Sequence, residues 1–156
     1  MNIAKIPLPK GASSNSPKRI VIHAMGEFIK YKEEDMYAPY FLKEIGLSAH
    51  ALITPEGTVI RCREDNQGGY HAKGHNTDTL GVEFMLQGVH DYGSFIRGIK
   101  NPWVNAKAYA AGQELIKQWM AKHAIKKEDV VYHSEIDPER KEDPGIGFPP
   151  SFRDTL

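Results

Sequence analysis

Two histidines in this chain close short apolar runs, and that pairing is where chemistry could begin. Ile20-Val21-Ile22 ends in His23, and Val130-Val131-Tyr132 ends in His133 far downstream. Two strands that each deliver an imidazole at a C-terminal end, joined by one loop carboxylate, make a three-ligand zinc site with an open fourth position. The carboxylate that suits is Asp143, directly before Pro144-Gly145, a turn able to fix its backbone. Lys141 projects to the same side if that segment is extended. A cation there is useful where negative charge develops during a reaction. The bland alternative is two polar strand ends that never meet.

Glu83 is a second oddity. It interrupts Leu80-Gly81-Val82-Glu83-Phe84-Met85-Leu86, an otherwise apolar strand. A carboxylate in such a place costs several kcal/mol unless it is paired, hydrogen-bonded or protonated. It is either a structural ion pair, with Arg61 as the candidate partner, or a general base or acid whose pKa is raised by desolvation.

These residues need a scaffold, and the chain supplies one in order. Residues 1–17 read as an extended arm ending in a Ser/Asn/Pro-rich loop, followed by a domain over 18–156. Lys18–His23 is a central strand and Ala24–Met36 a polar loop. Tyr37–Ile45 is a short helix with Pro39 in its first turn and Gly46 as its stop. Ala49–Ile53 and Thr58–Cys62 form a hairpin around Thr54-Pro55-Glu56-Gly57. Asp65–Thr77 is a loop, Leu80–Leu86 a strand and Gly88–Lys100 a loop again. Asn101, with Pro102 after it, caps a helix running to His123, with Ala106, Tyr109, Ala110, Gln113, Ile116 and Met120 on one face. Leu115 and Trp119 widen that face. After the strand ending at Tyr132, Pro and charge keep residues 132–145 out of helix and sheet, and Phe148 and Phe152 pack back on the body. The expected fold is a single-domain α/β architecture, a central mixed β-sheet flanked by α-helices.

Composition narrows the partners. Twenty basic residues balance twenty acidic ones, so no global field recommends nucleic acid or an anionic membrane. The single Cys62 excludes an internal disulfide and Cys-rich zinc modules. No apolar run reaches the ~20 residues of a bilayer span. The prolines of the first eighteen residues break up any secretory h-region. The expectation is a monomer that is cytoplasmic at synthesis, or that leaves the cytoplasm by a route this sequence does not encode.

Five blocks, in order, resemble the zinc N-acetylmuramoyl-L-alanine amidases, the family shared by phage lysozyme-type amidases, bacterial muropeptide amidases and animal peptidoglycan recognition proteins. Val21-Ile22-His23 resembles the first ligand strand. Ser48-Ala49-His50-Ala51-Leu52-Ile53 with Glu56-Gly57-Thr58 resembles the Ser-Ala-His strand and its hairpin. Tyr70-His71-Ala72-Lys73-Gly74-His75-Asn76 resembles the substrate loop, Leu80-Gly81-Val82-Glu83 the Ile-Gly-Ile-Glu strand, and His133 to Gly145 the closing His…Asp-Pro-Gly signature.

The resemblance implies zinc on His23, His133 and Asp143, Glu83 as the base, and Lys141 at the oxyanion. It places His71 and Asn76 on the substrate, and leaves His50 as a core or ligand-supporting histidine. Ala49 stands where phage lysozyme-type enzymes carry a catalytic Tyr, so catalysis leans on Glu83. Asp143 in place of Cys, together with Ala49, resembles the muropeptide-recycling amidases, whereas the His71-Ala72-Lys73-Gly74 loop resembles the phage type. The implied activity is cleavage of the amide between N-acetylmuramic acid and L-alanine, with peptidoglycan or muropeptide as substrate, in an endolysin-like lytic role. The rivals are a cytoplasmic recycling amidase and a peptidoglycan-binding protein that does not cut.

Overall fold

The aliphatic runs are short and separated by turn formers, and in the folded chain they pair with one another. The computed structural model describes residues 1–156. Its strands are β1 (Asn2–Lys5), β2 (Arg19–Tyr31), β3 (Glu34–Tyr37), β4 (Ala51–Ile53), β5 (Thr58–Arg61), β6 (Thr79–His90) and β7 (Val130–Tyr132). Its helices are α1 (Ala38–Ile45), α2 (Tyr92–Gly98), α3 (Ala106–His123) and the single turn α4 (His133–Ile136). One seven-stranded sheet runs β1-β5-β4-β6-β2-β3, with β7 also on β2. β2 lies parallel to β6 and β7, while β2–β3 and β4–β5 are antiparallel. The sheet is mixed, in a single α/β domain.

Alternation along the two central strands decides what each face receives. Ile20 and Ile22 on β2, with Leu80, Val82 and Phe84 on β6, meet Leu115, Ile116 and Trp119 of α3 in the main core. The odd-numbered residues face the other way, where Leu42 of α1 joins Leu52 and Met85 in a second cluster. His23 and Glu83 are odd-numbered register partners on adjacent strands. Pleat and register together therefore set them side by side on the face away from α3.

Three segments differ from the sequence reading. Residues 24–36 are not a loop: β2 continues to Tyr31, turns at Lys32-Glu33 with positive φ at both residues, and returns as β3. Polar composition hid this strand, because its backbone is satisfied by β6 and β3 while its side chains after Ala24 stay half-buried or exposed. Residues 88–100 hold the end of β6 and then α2, whose N-terminus is capped by Asp91 accepting the Ser94 N–H at 2.8 Å. The long helix starts at Ala106, because Asn105 rather than Asn101 is its cap; Asn105 Oδ1 accepts the Ala108 N–H at 2.9 Å. Of the expected face Gln113, Leu115, Ile116 and Trp119 are buried, joined by Ala108, Ala111 and Gly112, whereas Ala106 and Ala110 are exposed.

Gly112 is buried there for a packing reason. A Cβ there would lie 2.5 Å from Phe84 Cζ and 3.2 Å from Phe152 Cζ. Alanine improves helix propensity by about 1 kcal/mol, but overpacking a filled core costs about 1–3 kcal/mol. Gly112→Ala is therefore expected to lower stability in a denaturant titration, against its propensity. Phe148 and Phe152 do fold back, stacking edge-on against each other and against Phe84.

The first residues pack on the sheet. β1 pairs with β5, Leu8 is buried, and the Arg63 guanidinium gathers the carbonyls of Leu8, Ala12 and Gly68.

Candidate active site

The site lies where the sheet has a gap. One edge of β2 is covered by β6 from Arg19 to Ile29, with an irregularity at Glu27. The other is covered by β7 only at residues 20–22 and by β3 only from residue 28. Between them the backbone of β2 faces a side chain: the Ala24 N–H donates to Asp143 Oδ2 at 3.4 Å. His23 thus sits mid-strand rather than at a strand end, opposite the point where β7 stops. His133 begins α4, a helical turn where loop was expected; its cap is satisfied by Glu135, which accepts the Tyr132 N–H at 2.8 Å. The chain then returns, with the Ser134 N–H donating to the Asp143 carbonyl at 2.9 Å, so Asp143 is tied back to the start of α4.

His23 Nδ1 stands 2.9 Å from His133 Nδ1 and 3.3 Å from Asp143 Oδ2, and His133 Nδ1 stands 3.1 Å from Asp143 Oδ1. All three residues are buried. Three lone-pair-bearing atoms this close have too few protons to satisfy one another, and a cation resolves that. Tetrahedral zinc with ligands at about 2.0–2.1 Å places its donors about 3.3 Å apart. The donor types and spacings fit such an ion.

Electrostatics agree with this division of labour. Burial would raise the Asp143 pKa, but the His133 and His23 imidazoles packed against its carboxylate hold it well below the usual carboxylate range. Burial lowers the His23 pKa, opposed by Asp143. Glu83 goes the other way: burial, reinforced by the Asp143 charge, raises its pKa well above the ordinary value despite the opposing Lys141 charge. Its Oε1 has no hydrogen-bond partner. The Arg61 pairing does not form, since Arg61 Nη2 donates instead to Asp65 Oδ1 at 2.6 Å.

Glu83, Lys141 and His71 open with the three ligand candidates into one cleft of about 400 Å³. Phe41, Leu47 and Tyr70 line it, as do Tyr92 and Ile96 of α2. Tyr92 is 73% exposed. The α2 wall escaped the sequence reading with the helix itself; the Asp91-x-x-Ser94 capping spacing was the available signal.

The loop residues are occupied within the chain. Asn76 Oδ1 accepts the N–H groups of His71 and Ala72 at 3.1 and 2.9 Å, closing the loop. His71 Nδ1 lies 2.8 Å from His23 Nε2, a contact no sequence pattern announced. His50 is a core histidine: its Nδ1 accepts the Gly81 N–H and its Nε2 meets the Gln67 carbonyl, while burial lowers its pKa to about 4. His123 joins Arg61 and Lys122 around Asp65, away from the cleft.

Known proteins share this arrangement of elements. The solved N-acetylmuramoyl-L-alanine amidase LysC from Clostridium intestinale matches with a TM-score of 0.72 at 22% identity, over 99% of this chain and 95% of that one. AmiD from E. coli, solved in complex with anhydro-N-acetylmuramic acid-L-Ala-D-gamma-Glu-L-Lys, matches with a TM-score of 0.68 at 22% identity, over 92% of this chain and 59% of that one. In sequence, the 1,6-anhydro-N-acetylmuramyl-L-alanine amidase AmpD of Haemophilus influenzae is 30% identical over 131 residues, which is 78% of this chain and 66% of the relative's length. The family profile for N-acetylmuramoyl-L-alanine amidase matches residues 13–146, a stretch that takes in all three ligand candidates together with Glu83 and Lys141. On that match, which spans most of its length, the chain belongs to the N-acetylmuramoyl-L-alanine amidase family.

Proposed function

We propose that this protein hydrolyses the amide between the lactyl group of N-acetylmuramic acid and L-alanine, with zinc held by His23, His133 and Asp143. The observation that carries the reading is the convergence of those three donors beside a buried, unpartnered Glu83 in an open cleft. Zinc in such a site supplies Lewis-acid polarisation and makes water a competent nucleophile near neutral pH.

The chain's own residues do the rest. Glu83, ionised, accepts a proton from the attacking water and passes it to the departing amine nitrogen of L-alanine. Its buried setting raises its proton affinity toward what a general base needs. Lys141 Nζ donates to the carbonyl oxygen as negative charge develops there, an interaction stronger in the transition state than in the ground state. Lys141→Ala is expected to lower kcat on the order of 10²–10³-fold, the usual worth of an oxyanion donor. Zinc content, measured by metal analysis, should not change. A variant that loses its zinc would make Lys141 a structural residue.

The role we favour is cell-wall lysis of the endolysin kind, supported by the likeness to the solved endolysin amidase LysCS from Clostridium intestinale over 99% of this chain and 92% of that one. A recycling role is the second reading; the identity with an anhydro-muropeptide amidase and the ligand in the AmiD complex favour it. No helix is long and apolar enough to cross a membrane. Digesting intact sacculi beside soluble anhydro-muropeptide, with products identified by mass, separates the two. Release of stem peptide from sacculi supports lysis, and cleavage confined to the soluble fragment overturns it. No amide cleavage of either substrate by zinc-loaded protein would overturn the activity itself.

A further inference from the structure

We propose that Thr79 and His71 are positioning residues for His23: their hydrogen bonds hold its single imidazole proton on Nε2, and so turn a bare Nδ1 toward His133 and Asp143. The direction of this chain is fixed from its far end. The Thr79 hydroxyl lies 2.6 Å from the His75 carbonyl oxygen, which can only accept, so the one hydroxyl proton goes there. Thr79 Oγ1 must then accept from His71 Nε2 at 3.1 Å. The proton of neutral His71 is therefore on Nε2, and its Nδ1 is bare. That nitrogen lies 2.8 Å from His23 Nε2. Two bare nitrogens at this distance repel, so His23 Nε2 carries the proton and donates it. A neutral imidazole has one such proton, and His23 Nδ1 is left with a free lone pair aimed at the ligand cluster.

The seat of the His71 ring is built for it. A Cβ on Gly81 would fall 2.5 Å from His71 Nδ1 and 2.7 Å from its Cγ, so the ring occupies the space a side chain would fill. The strand under the ring is pinned by the Gly81 N–H donating to His50 Nδ1 at 3.0 Å. Gly81 therefore makes the ring's position possible, and Thr79, two residues before it on the same strand, orients it. Metal-binding histidines are generally fixed in this way, by a partner on the nitrogen that does not bind. His71 also lines the cleft, and this action through His23 does not depend on a contact with substrate.

The consequence for metal rests on the zinc reading above, so the test has two arms. In full-length protein with 15N-labelled histidines, zinc-loaded and zinc-free, a nitrogen–nitrogen coupling across the hydrogen bond is expected between His23 Nε2 and His71 Nδ1, with the proton on His23. A proton found on His71 Nδ1 would overturn the proposal. In competition against a chelator, His71→Leu and Thr79→Val are expected to weaken zinc binding by about 10–100-fold. His71→Asn should bind close to wild type, because its amide oxygen falls near the Nδ1 position and can still accept. An Asn variant as weak as the Leu variant would overturn the proposal. If the Leu variant does not fold, Thr79→Val, which removes only a hydroxyl, decides: unchanged coupling and unchanged zinc affinity would overturn the role of Thr79. Wild-type protein that binds no zinc would sink the proposed function, and the coupling read on that zinc-free chain would still decide the tautomer.

Discussion

Glu83→Gln is expected to lower kcat on the order of 10²–10⁴-fold, the usual worth of a general base, and at the same time to make the protein more stable. The first effect follows from losing the proton acceptor while keeping shape and zinc. The second follows from burial. The folded chain holds the Glu83 proton above the ordinary value of 4.5, because burial and the Asp143 charge disfavour the carboxylate. Stability therefore falls as pH rises from 4.5 through the raised folded value, and glutamine removes that penalty. The gain is expected in zinc-free protein at neutral pH, where the carboxylate would be charged, and should shrink below pH 4.5. The acid limb that Glu83 gives kcat/KM should vanish in the variant. Near wild-type turnover would reduce Glu83 to a structural residue, and Ala49 offers no hydroxyl to take its place. Groups that act on one transition state are not additive, so the roles proposed for Glu83 and Lys141 predict a double variant that loses less than the product of the single losses.

Asp143→Ala is expected to abolish stoichiometric zinc and, with it, activity, whereas Asp143→Cys should keep both in substantial part. Both replacements delete the carboxylate that accepts from Ala24 and His133, so a purely structural role predicts equal damage. Only a ligand role separates them, since a thiolate also binds zinc. Losing several kcal/mol of charge stabilisation in the transition state, at about 1.4 kcal/mol per factor of ten, is a loss of at least ~10³-fold. Chelation of the wild type should reproduce it, and added zinc should reverse it. Full hydrolysis by protein shown to be free of metal would refute the mechanism.

Local order was legible wherever the determinants were near neighbours in the chain. Gly46 ends α1 in a left-handed conformation with φ 77°, and Gly57 turns the β4–β5 hairpin with φ 84°; both are conformations glycine adopts without strain. The misplaced start of α3 shows the limit even there. Asn101-Pro102 and Asn105 are both plausible caps by type, and Asn105 also reaches the Pro55 carbonyl at 2.7 Å, a partner fifty residues away in sequence. The sheet likewise extended past its apolar runs, because backbone pairing stabilises β2 to Tyr31 whatever its side chains are.

The residue types alone determined what chemistry this protein could do: two imidazoles after apolar runs, a carboxylate before Pro-Gly, and a charge inside an apolar strand. Tertiary structure decided which of them meet, and how. His23 and His133 lie 110 residues apart in sequence, and Ala24 and Asp143 119 apart. They touch because β7 covers only the first part of one edge of β2 and leaves the next part open. The same packing gave Arg61 to Asp65 and left Glu83 unpaired, and it set the His71 ring over Gly81 with one nitrogen on His23. Side-chain alternation is a property of each strand and can be read locally. Strand order, register and the orientation of a ring arise from contacts between distant segments, and those exist only once the chain has folded.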